Sequence, residues 1–131
     1  MQSTRDFWME EALEALQVAE HLHEKEDYSY ALFFGHLAIE KILKALYVSK
    51  QHEHAPRIHN LVRLAELSAI SMTESRKDDL VKITAFNLES RYPDEKRSFR
   101  KKCTKDFTKS ELSRIKETFQ WLREMVKSSE Q

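Results

Sequence analysis

The strongest hydrophobic pattern lies in residues 27–50, DYSYALFFGHLAIEKILKALYVSK. Apolar residues there recur at three- and four-residue intervals on two adjoining faces of a helix. One face carries Ala31, Phe34, Ala38, Ile42 and Ala45, and the other carries Leu32, Ile39, Leu43 and Leu46. Because both faces favour burial, the pattern predicts that this helix lies at the centre of the fold.

A narrow polar line remains on the same helix. His36, Glu40 and Lys44 are spaced by four residues and therefore stack on one stripe. One interpretation is a solvated face with an ion pair between Glu40 and Lys44. The other is that the stripe borders a site between helices or between subunits, and His36, Glu40 and Lys44 are therefore candidate site residues.

The flanking patterns predict two more helices. Residues 4–23 carry one apolar stripe, and the turn at residues 24–27 is short enough for an antiparallel hairpin in which Asp27 caps the second helix. The segment QHEHAPRIHN, residues 51–60, is predicted as a loop. Asn60 is placed to cap a short third helix.

A fourth helix is predicted to begin at the capping-box pair Ser71 and Glu74 and to continue to residue 88. Pro93 limits its end, because the residue before a proline disfavours the helical region. Residues 91–106 show no helical period and many charges, which indicates an exposed, irregular crossing.

A second capping-box pair, Thr108 and Glu111, predicts the start of the last helix. Its apolar stripe runs through residues 112–126, and residues 127–131 are expected to fray. The patterns together predict an all-α fold, an up-and-down bundle of about five helices.

Composition supports this fold class. The 131 residues include one glycine and two prolines, and 34% of them are charged, as is typical of long helices with short connections. Residues 1–131 are the size of one domain. Gly35, the sole glycine, lies inside the central helix, where it is predicted to permit a close helix contact; a glycine-rich phosphate loop is excluded.

Charge is unevenly distributed, although the 22 basic and 22 acidic residues balance. Residues 1–26 contain two basic and seven acidic residues, a net charge of −5, whereas residues 91–105 contain seven basic and two acidic residues, a net charge of +5. A basic segment with interleaved aromatics can hold phosphates and stack bases, or it can pair with an acidic partner; alternatively, Tyr92 and Phe99 anchor the segment while its cations are merely solvated. The candidate binding residues are Arg91, Tyr92, Asp94, Lys96, Arg97, Arg100 and Lys101.

The cysteine and the histidines give weaker signals. Cys103, the sole cysteine, cannot form an internal disulfide and is interpreted as a half-buried structural residue, although exposure among cations would lower its thiol pKa. His52, His54 and His59 lie on a loop with no predicted supporting shell, so neither a metal site nor a cofactor is predicted. With no apolar leader and no run of about 18 apolar residues, the chain is expected to be cytoplasmic, without a membrane segment.

The order of these motifs resembles the HEPN domain family over essentially the whole chain. The resemblance is carried by an amphipathic first helix with a tryptophan near its start and by the segments DYSYALFFGHLAIEKILKALYV, HNLVRLA, AFNLESRYPD and KSELSRIKETFQWLRE. It implies a bundle of about five helices that dimerises and that is often encoded beside a minimal nucleotidyltransferase, in pairs that behave as toxin and antitoxin. Members are considered nucleotide- or RNA-binding, and many are metal-independent ribonucleases.

This chain departs from the ribonuclease members, which carry a histidine after an arginine and four to six intervening residues. The fifth to seventh successors of Arg91 are Lys96, Arg97 and Ser98. Lysine and arginine are poor proton acceptors near neutral pH, so no catalytic residue is assigned. His36 is a general-base candidate only if it folds against Arg91 of its own or of a partner subunit.

The sequence therefore predicts a HEPN-like homodimer that binds a nucleotide, RNA or a nucleotidyltransferase partner, as part of a toxin–antitoxin-like pair, through residues 91–105. Two alternatives remain open. One is a divergent metal-independent HEPN ribonuclease toxin, and the other is a non-catalytic dimeric adaptor in which the polar stripe and the basic segment serve only dimer contacts.

Overall fold

A computed structural model describes residues 1–129, which fold into six α-helices and no strand. The helices are α1 (Gln2–Glu24), α2 (Tyr28–Gln51), α3 (Leu61–Leu67), α4 (Glu74–Thr84), α5 (Pro93–Lys102) and α6 (Lys105–Ser129), with a 3-10 turn at Leu88–Ser90. The prediction of an all-α helical bundle is confirmed. The bundle contains one helix, α5, that the sequence patterns did not indicate.

The central position of α2 is also confirmed, with α1 and α6 packed against it. The turn at residues 25–27 reverses the chain, so α1 and α2 form the predicted antiparallel hairpin. The buried residues of α1 are Ala12, Ala15 and Ala19, whose small side chains allow the two helices to approach closely. α6 runs parallel to α2, because Gly35 faces Ile115 and the hydroxyl of Ser49 lies 2.6 Å from that of Ser129.

Both apolar faces predicted for α2 are buried, except that Phe34 keeps part of its ring at the surface. The faces meet a hydrophobic core to which α3, α4 and α6 contribute Leu61, Leu64, Leu80, Ile83, Ile115 and Leu122. Within residues 1–129, no helix is long and apolar enough to cross a membrane.

The predicted cap at Asn60 is confirmed, because its side-chain oxygen accepts a hydrogen bond from the Arg63 N–H at 3.0 Å. Asp27 does occupy the N-cap position of α2, but its side chain makes no capping hydrogen bond. α2 is therefore held mainly by the packing of its apolar faces, as is usual for helices in folded proteins.

The limits predicted for α4 are wrong at both ends. The cap is Thr73, whose hydroxyl accepts a hydrogen bond from the Arg76 N–H at 3.1 Å, and not Ser71. α4 ends at Thr84, and Leu88 lies in the separate 3-10 turn. The apolar pattern extends past the end of α4 because Leu88, although outside the helix, is buried in the core from the 3-10 turn.

The start predicted for α6 is late by one turn. Thr104 Oγ1 accepts a hydrogen bond from the Phe107 N–H at 3.2 Å, whereas Thr108 is a buried residue inside the helix. α6 continues to Ser129, so the expectation of fraying is wrong for residues 127–129. Residues 130 and 131, for which fraying was also expected, lie outside the described residues.

The largest correction concerns residues 91–106, which are not an irregular crossing, because most of them form α5. Pro93 lies in its first turn, where the missing N–H of proline is tolerated. Two carboxylates follow in the first turn and three cations end the helix, so both ends complement its dipole. Phe99 and Cys103 are buried, but two apolar anchors are too few to give a visible period.

The close contact predicted at Gly35 is confirmed. A Cβ atom built on Gly35 would lie 2.7 Å from Ile115 Cδ1 and 3.3 Å from Ile115 Cγ2. Ile115 is fully buried, so its side chain has little room to move away. The pairing of α2 with α6 therefore depends on the absence of a side chain at this position.

We predict that Gly35→Ala destabilises the protein, by about 1 kcal/mol net, because overpacking typically costs ~1–3 kcal/mol and alanine returns ~1 kcal/mol of helix propensity. Urea denaturation measures the change. In an Ile115→Val background, which removes Cδ1, the same substitution should cost less. Equal costs in the two backgrounds would contradict this account of the contact.

Candidate functional site

A surface groove separates the first turns of α2 from α5. It consists of two adjoining depressions, of about 220 Å³ and about 330 Å³, that share Ser29, Tyr30 and Arg100. The smaller depression is also lined by Phe33, Leu88, Glu89 and Lys96. The larger one is also lined by Glu26, Asp27, Tyr28 and Cys103. We call the two together the α2–α5 groove.

The two walls of this groove differ in chemistry. On the α2 wall, the side chain of Tyr30 is 49% exposed and Phe33 lies below the surface. On the α5 wall, Lys96 and Arg100 are one helical turn apart and so point in the same direction. An aromatic surface opposite two cations can stack a planar ring and hold an anionic group.

α5 also carries a second pair of exposed cations. Arg97 and Lys101 follow Lys96 and Arg100 by one residue each and do not line the groove. We call Lys96 and Arg100 the groove pair, and Arg97 and Lys101 the outer pair. Within residues 1–129, none of the four forms an ion pair with a carboxylate, so their charges are available to a ligand.

Carboxylates limit the positive charge of the groove. Glu89 lies in the smaller depression, and Glu26 and Asp27 lie in the larger one beside Arg100. The cationic part of the groove is therefore short. It matches one or two phosphate groups better than a long polyanion that lies across the whole groove.

Three more predicted site residues of this segment, like Arg97 and Lys101, lie outside the groove. Tyr92, 73% exposed, is the N-cap residue of α5, and Asp94 lies in the first turn of that helix. Arg91 is half-buried: its guanidinium donates hydrogen bonds to the Ala85 carbonyl oxygen and stacks over the Phe99 ring at 4.7 Å. Arg91 thus joins the end of α4 to α5.

The two aromatic residues of the basic segment, Tyr92 and Phe99, differ in burial. The sequence left open whether they anchor the segment or stack on a ligand. Phe99 is buried against Phe86, with ring centroids 5.7 Å apart, and anchors α5 to the core. Tyr92 is exposed and remains free to stack on a ligand. The groove adds Tyr30, an aromatic residue that the sequence analysis did not assign to the site.

The interpretation of the polar stripe on α2 as a solvated face is wrong. His36, Glu40 and Lys44 are all buried, with side chains at most 9% exposed. The predicted ion pair does form, with Lys44 Nζ 3.2 Å from Glu40 Oε2. The Glu40 carboxylate also accepts a hydrogen bond from His59 Nδ1, at 3.1 Å. The ammonium group of Lys44 lies 5.1 Å from the centroid of the Trp8 ring.

The stripe is buried because the loop before α3 and the first helix cover it. His59 belongs to that loop, and its side chain is 70% exposed while its Nδ1 reaches the buried carboxylate. We call His36, Glu40, Lys44 and His59 the Glu40 cluster. A spacing of four residues shows that side chains share a face, but it does not show what covers that face.

His36 is the most enclosed member of the Glu40 cluster. Its Nδ1 lies 3.2 Å from the Phe33 carbonyl oxygen, which can only accept, so this nitrogen carries the proton of the neutral ring. Its Nε2 is buried without a hydrogen-bond partner and lies 3.8 Å from Glu40 Oε1. Burial lowers the pKa of His36 below its ordinary value, and this outweighs the opposing attraction of Glu40.

Within one subunit, His36 and Arg91 do not form the pair that a ribonuclease site would need. Within residues 1–129 they share no hydrogen bond, ion pair or ring contact. His36 is 1% exposed, so a substrate hydroxyl cannot reach its ring in this conformation.

Cys103 is buried, in agreement with its interpretation as a structural residue. Burial raises its thiol pKa to about 11, and the nearby cations Lys102 and Arg91 oppose the shift only in part. Cys103 is therefore a thiol at neutral pH and a poor nucleophile. Its role is to anchor the end of α5, close to the base of the groove.

Metal-ligand geometry gives no further candidate. No group of three histidine, cysteine or carboxylate residues among residues 1–129 is placed to hold a metal ion. His59, one of the three loop histidines, contacts the Glu40 carboxylate instead.

The sequence of α5 does contain a helix signal, although it has no helical period. Proline followed by two carboxylates, with three cations seven residues later, is the charge pattern of a short capped helix. The α2 wall of the groove had no comparable signal, because Ser29 and Glu89 become neighbours only through tertiary folding.

Comparison with known proteins establishes the family. A sequence model of the HEPN domain matches residues 6–128, and the chain belongs to this family. The crystal structure of TT1696 from Thermus thermophilus is similar in fold, with a TM-score of 0.76 and 21% sequence identity over 95% of this chain and 99% of that chain. A comparison with curated proteins gave no match.

We predict that His36 makes stability depend on pH. Its pKa in the folded state is lowered from the ordinary value of 6.5, so below that value the unfolded chain binds more protons and stability is lost as pH falls. Urea denaturation at about pH 7.5 and about pH 5.5 should show a larger loss for the unmodified protein than for His36→Gln.

His54→Gln serves as the control, because it removes an imidazole from an exposed loop position. That variant should lose as much stability between the two pH values as the unmodified protein. If His36→Gln behaves in the same way as this control, His36 is not the group responsible.

Proposed function

We propose that this HEPN-domain protein is a homodimer that binds the phosphate of a nucleotide, free or within RNA, in the α2–α5 groove. One observation carries the proposal: Lys96 and Arg100, which have no carboxylate partner within residues 1–129, face the exposed ring of Tyr30 across the groove. In this arrangement a phosphate contacts the two cations while the attached base stacks on the tyrosine.

The size and charge of the groove support a ligand with few phosphates. The depression that contains both cations is about 220 Å³, and Glu89 lies in it beside them. Additional phosphates would meet this carboxylate and the two acidic residues of the larger depression, Glu26 and Asp27. Like charges at short range oppose binding, so a monophosphate unit is favoured.

Two observations weigh against cleavage of RNA by this chain. No histidine follows Arg91 at the spacing of the ribonuclease members, and the guanidinium of Arg91 is already bonded to the Ala85 carbonyl. The histidine nearest to this role, His36, is neutral and enclosed. Cleavage through a 2′-hydroxyl requires an accessible group that accepts a proton near neutral pH.

A second candidate function concerns a protein partner. The outer pair, Arg97 and Lys101, lies beside the groove and is exposed without a carboxylate neighbour within residues 1–129. Such charges suit an acidic surface of a minimal nucleotidyltransferase, with the two proteins acting as a toxin–antitoxin-like pair. The two functions use different faces of α5 and can be separated by substitution.

We predict that the purified protein leaves single-stranded RNA and transfer RNA intact in the absence of metal. Gel electrophoresis after incubation measures this directly. Cleavage that persists through purification and disappears in a His36→Ala variant would contradict the proposal and favour a ribonuclease.

We predict that Lys96→Glu with Arg100→Glu weakens binding of a fluorescent nucleoside monophosphate or short RNA by more than about tenfold, because attraction is lost and repulsion is added at one place. Fluorescence anisotropy gives the Kd values. Binding to the unmodified protein should also weaken as salt rises from about 50 to about 200 mM.

The matched control is Arg97→Glu with Lys101→Glu, which changes the charge of the same helix by the same amount. This outer-pair variant should keep most of its ligand binding, and it should lose any complex with a nucleotidyltransferase partner. The free energy of unfolding of both variants should lie within about 1 kcal/mol of that of the unmodified protein, because the replaced charges are exposed. If the groove-pair variant and the outer-pair variant lose nucleotide binding equally, the binding results from nonspecific electrostatic attraction and not from a defined site.

A further inference from the structure

The solvent-facing side of α2 is limited to one narrow stripe. Between residues 29 and 48, every side chain is buried except Tyr30, Phe34, Leu37 and Lys41. These four are separated by four, three and four residues, so they lie on one line along the helix. Three of the four are apolar or aromatic, which is unusual for the exposed side of a helix.

α1 extends this stripe into a wider surface. Ala15 and Val18 of α1, with Phe34 and Leu37 of α2, line a shallow depression of about 160 Å³. The other lining residues are charged: Glu14 lies on the α1 side, and Lys41 and Glu11 lie at one end, where Lys41 Nζ is 3.3 Å from Glu11 Oε1. We call this surface the α1–α2 face. A contiguous apolar area with a polar edge is typical of an interface between proteins.

We infer that this α1–α2 face is the interface of the homodimer, an inference that rests on the homodimer in the proposed function and deepens it. The occupant is a second copy of this chain, packed so that the two α2 stripes run antiparallel about a two-fold axis. In a two-fold interface each surface must complement itself.

The stripe satisfies this requirement in one orientation. An axis midway between residues 34 and 37 places Phe34 against the partner subunit's Leu37. The same axis places Tyr30 against the partner subunit's Lys41, where an ammonium group over an aromatic ring is favourable. A parallel arrangement would instead place the two Lys41 side chains together, which like-charge repulsion disfavours.

The antiparallel arrangement also connects the interface with the α2–α5 groove. Tyr30 belongs both to the stripe and to the wall of the groove. The partner subunit's Lys41 therefore reaches the edge of the groove. Lys41 is paired with Glu11 of its own subunit, so it adds a third cation beside the groove pair only when it exchanges this carboxylate for a ligand phosphate. In this arrangement each groove is completed only in the dimer.

Leu37→Glu tests the interface by placing a charge near its centre. Light scattering should give a mass of about twice 15.6 kDa for the unmodified protein and 15.6 kDa for the variant. Val81→Glu is the matched control, because Val81 is 55% exposed on α4, away from the α1–α2 face, and this variant should remain dimeric.

The outcomes separate the interface from the homodimer itself. A Leu37→Glu variant that stays dimeric would overturn the assignment of the α1–α2 face and leave the homodimer intact. A monomeric unmodified protein would overturn both. If Val81→Glu also becomes monomeric, the loss is not specific to this face and the assignment falls.

Cross-linking tests the orientation. Tyr30→Cys and Lys41→Cys proteins, treated with a short bismaleimide, should form a covalent dimer when mixed, and each should remain largely uncoupled alone. The unmodified protein controls for Cys103, which is buried. Coupling of Tyr30→Cys with itself, at the level of the mixture, would overturn the antiparallel arrangement in favour of a parallel one.

Discussion

Because α2 is covered on nearly every side, the polar side chains on it must find partners inside the protein, and the Glu40 carboxylate supplies several of them. It pairs with Lys44 on the same helix and with His59 from the loop before α3, and His36 lies within 3.8 Å. Removing one partner from a buried ion pair typically costs ~3–5 kcal/mol, since the other charge is left uncompensated. Glu40 therefore ties the loop to the central helix, and that helix in turn positions one wall of the groove.

The other wall depends on a short helix that has little apolar surface of its own. Phe99 and Cys103 anchor α5, and the guanidinium of Arg91 lies over Phe99 while bonded to the end of α4. An irregular segment would scatter its cations, whereas a helix aligns residues spaced by four. The helical form of α5 thus divides four exposed cations into the groove pair and the outer pair, which is why the proposed ligand binding and the proposed partner binding can be tested separately.

The sequence predicted those features that depend on local pattern or on one dominant residue type. The two apolar faces of α2, the Asn60 cap and the close contact at Gly35 are of this kind. It failed where tertiary structure decides. The spacing of His36, Glu40 and Lys44 was compatible with a solvated face. It could not show that His59, 19 positions from Glu40, covers that face in the folded protein. The pattern around Tyr30 did not predict that this residue lines a groove, since its place opposite Lys96 depends on how α5 packs.

Membership of the HEPN family fixes the fold of this chain but not its chemistry, which depends on whether an accessible proton acceptor stands near Arg91. In this chain the positions after Arg91 hold Lys96 and Arg97, and lysine and arginine are cationic side chains that are poor proton acceptors. The enclosed His36 sits inside the Glu40 cluster, where a neutral ring contributes to packing. The positions that would hold the histidine of a ribonuclease thus hold cations, and in the proposed site the exposed ring of Tyr30, across the groove from Lys96, would add the stacking that charge attraction alone lacks.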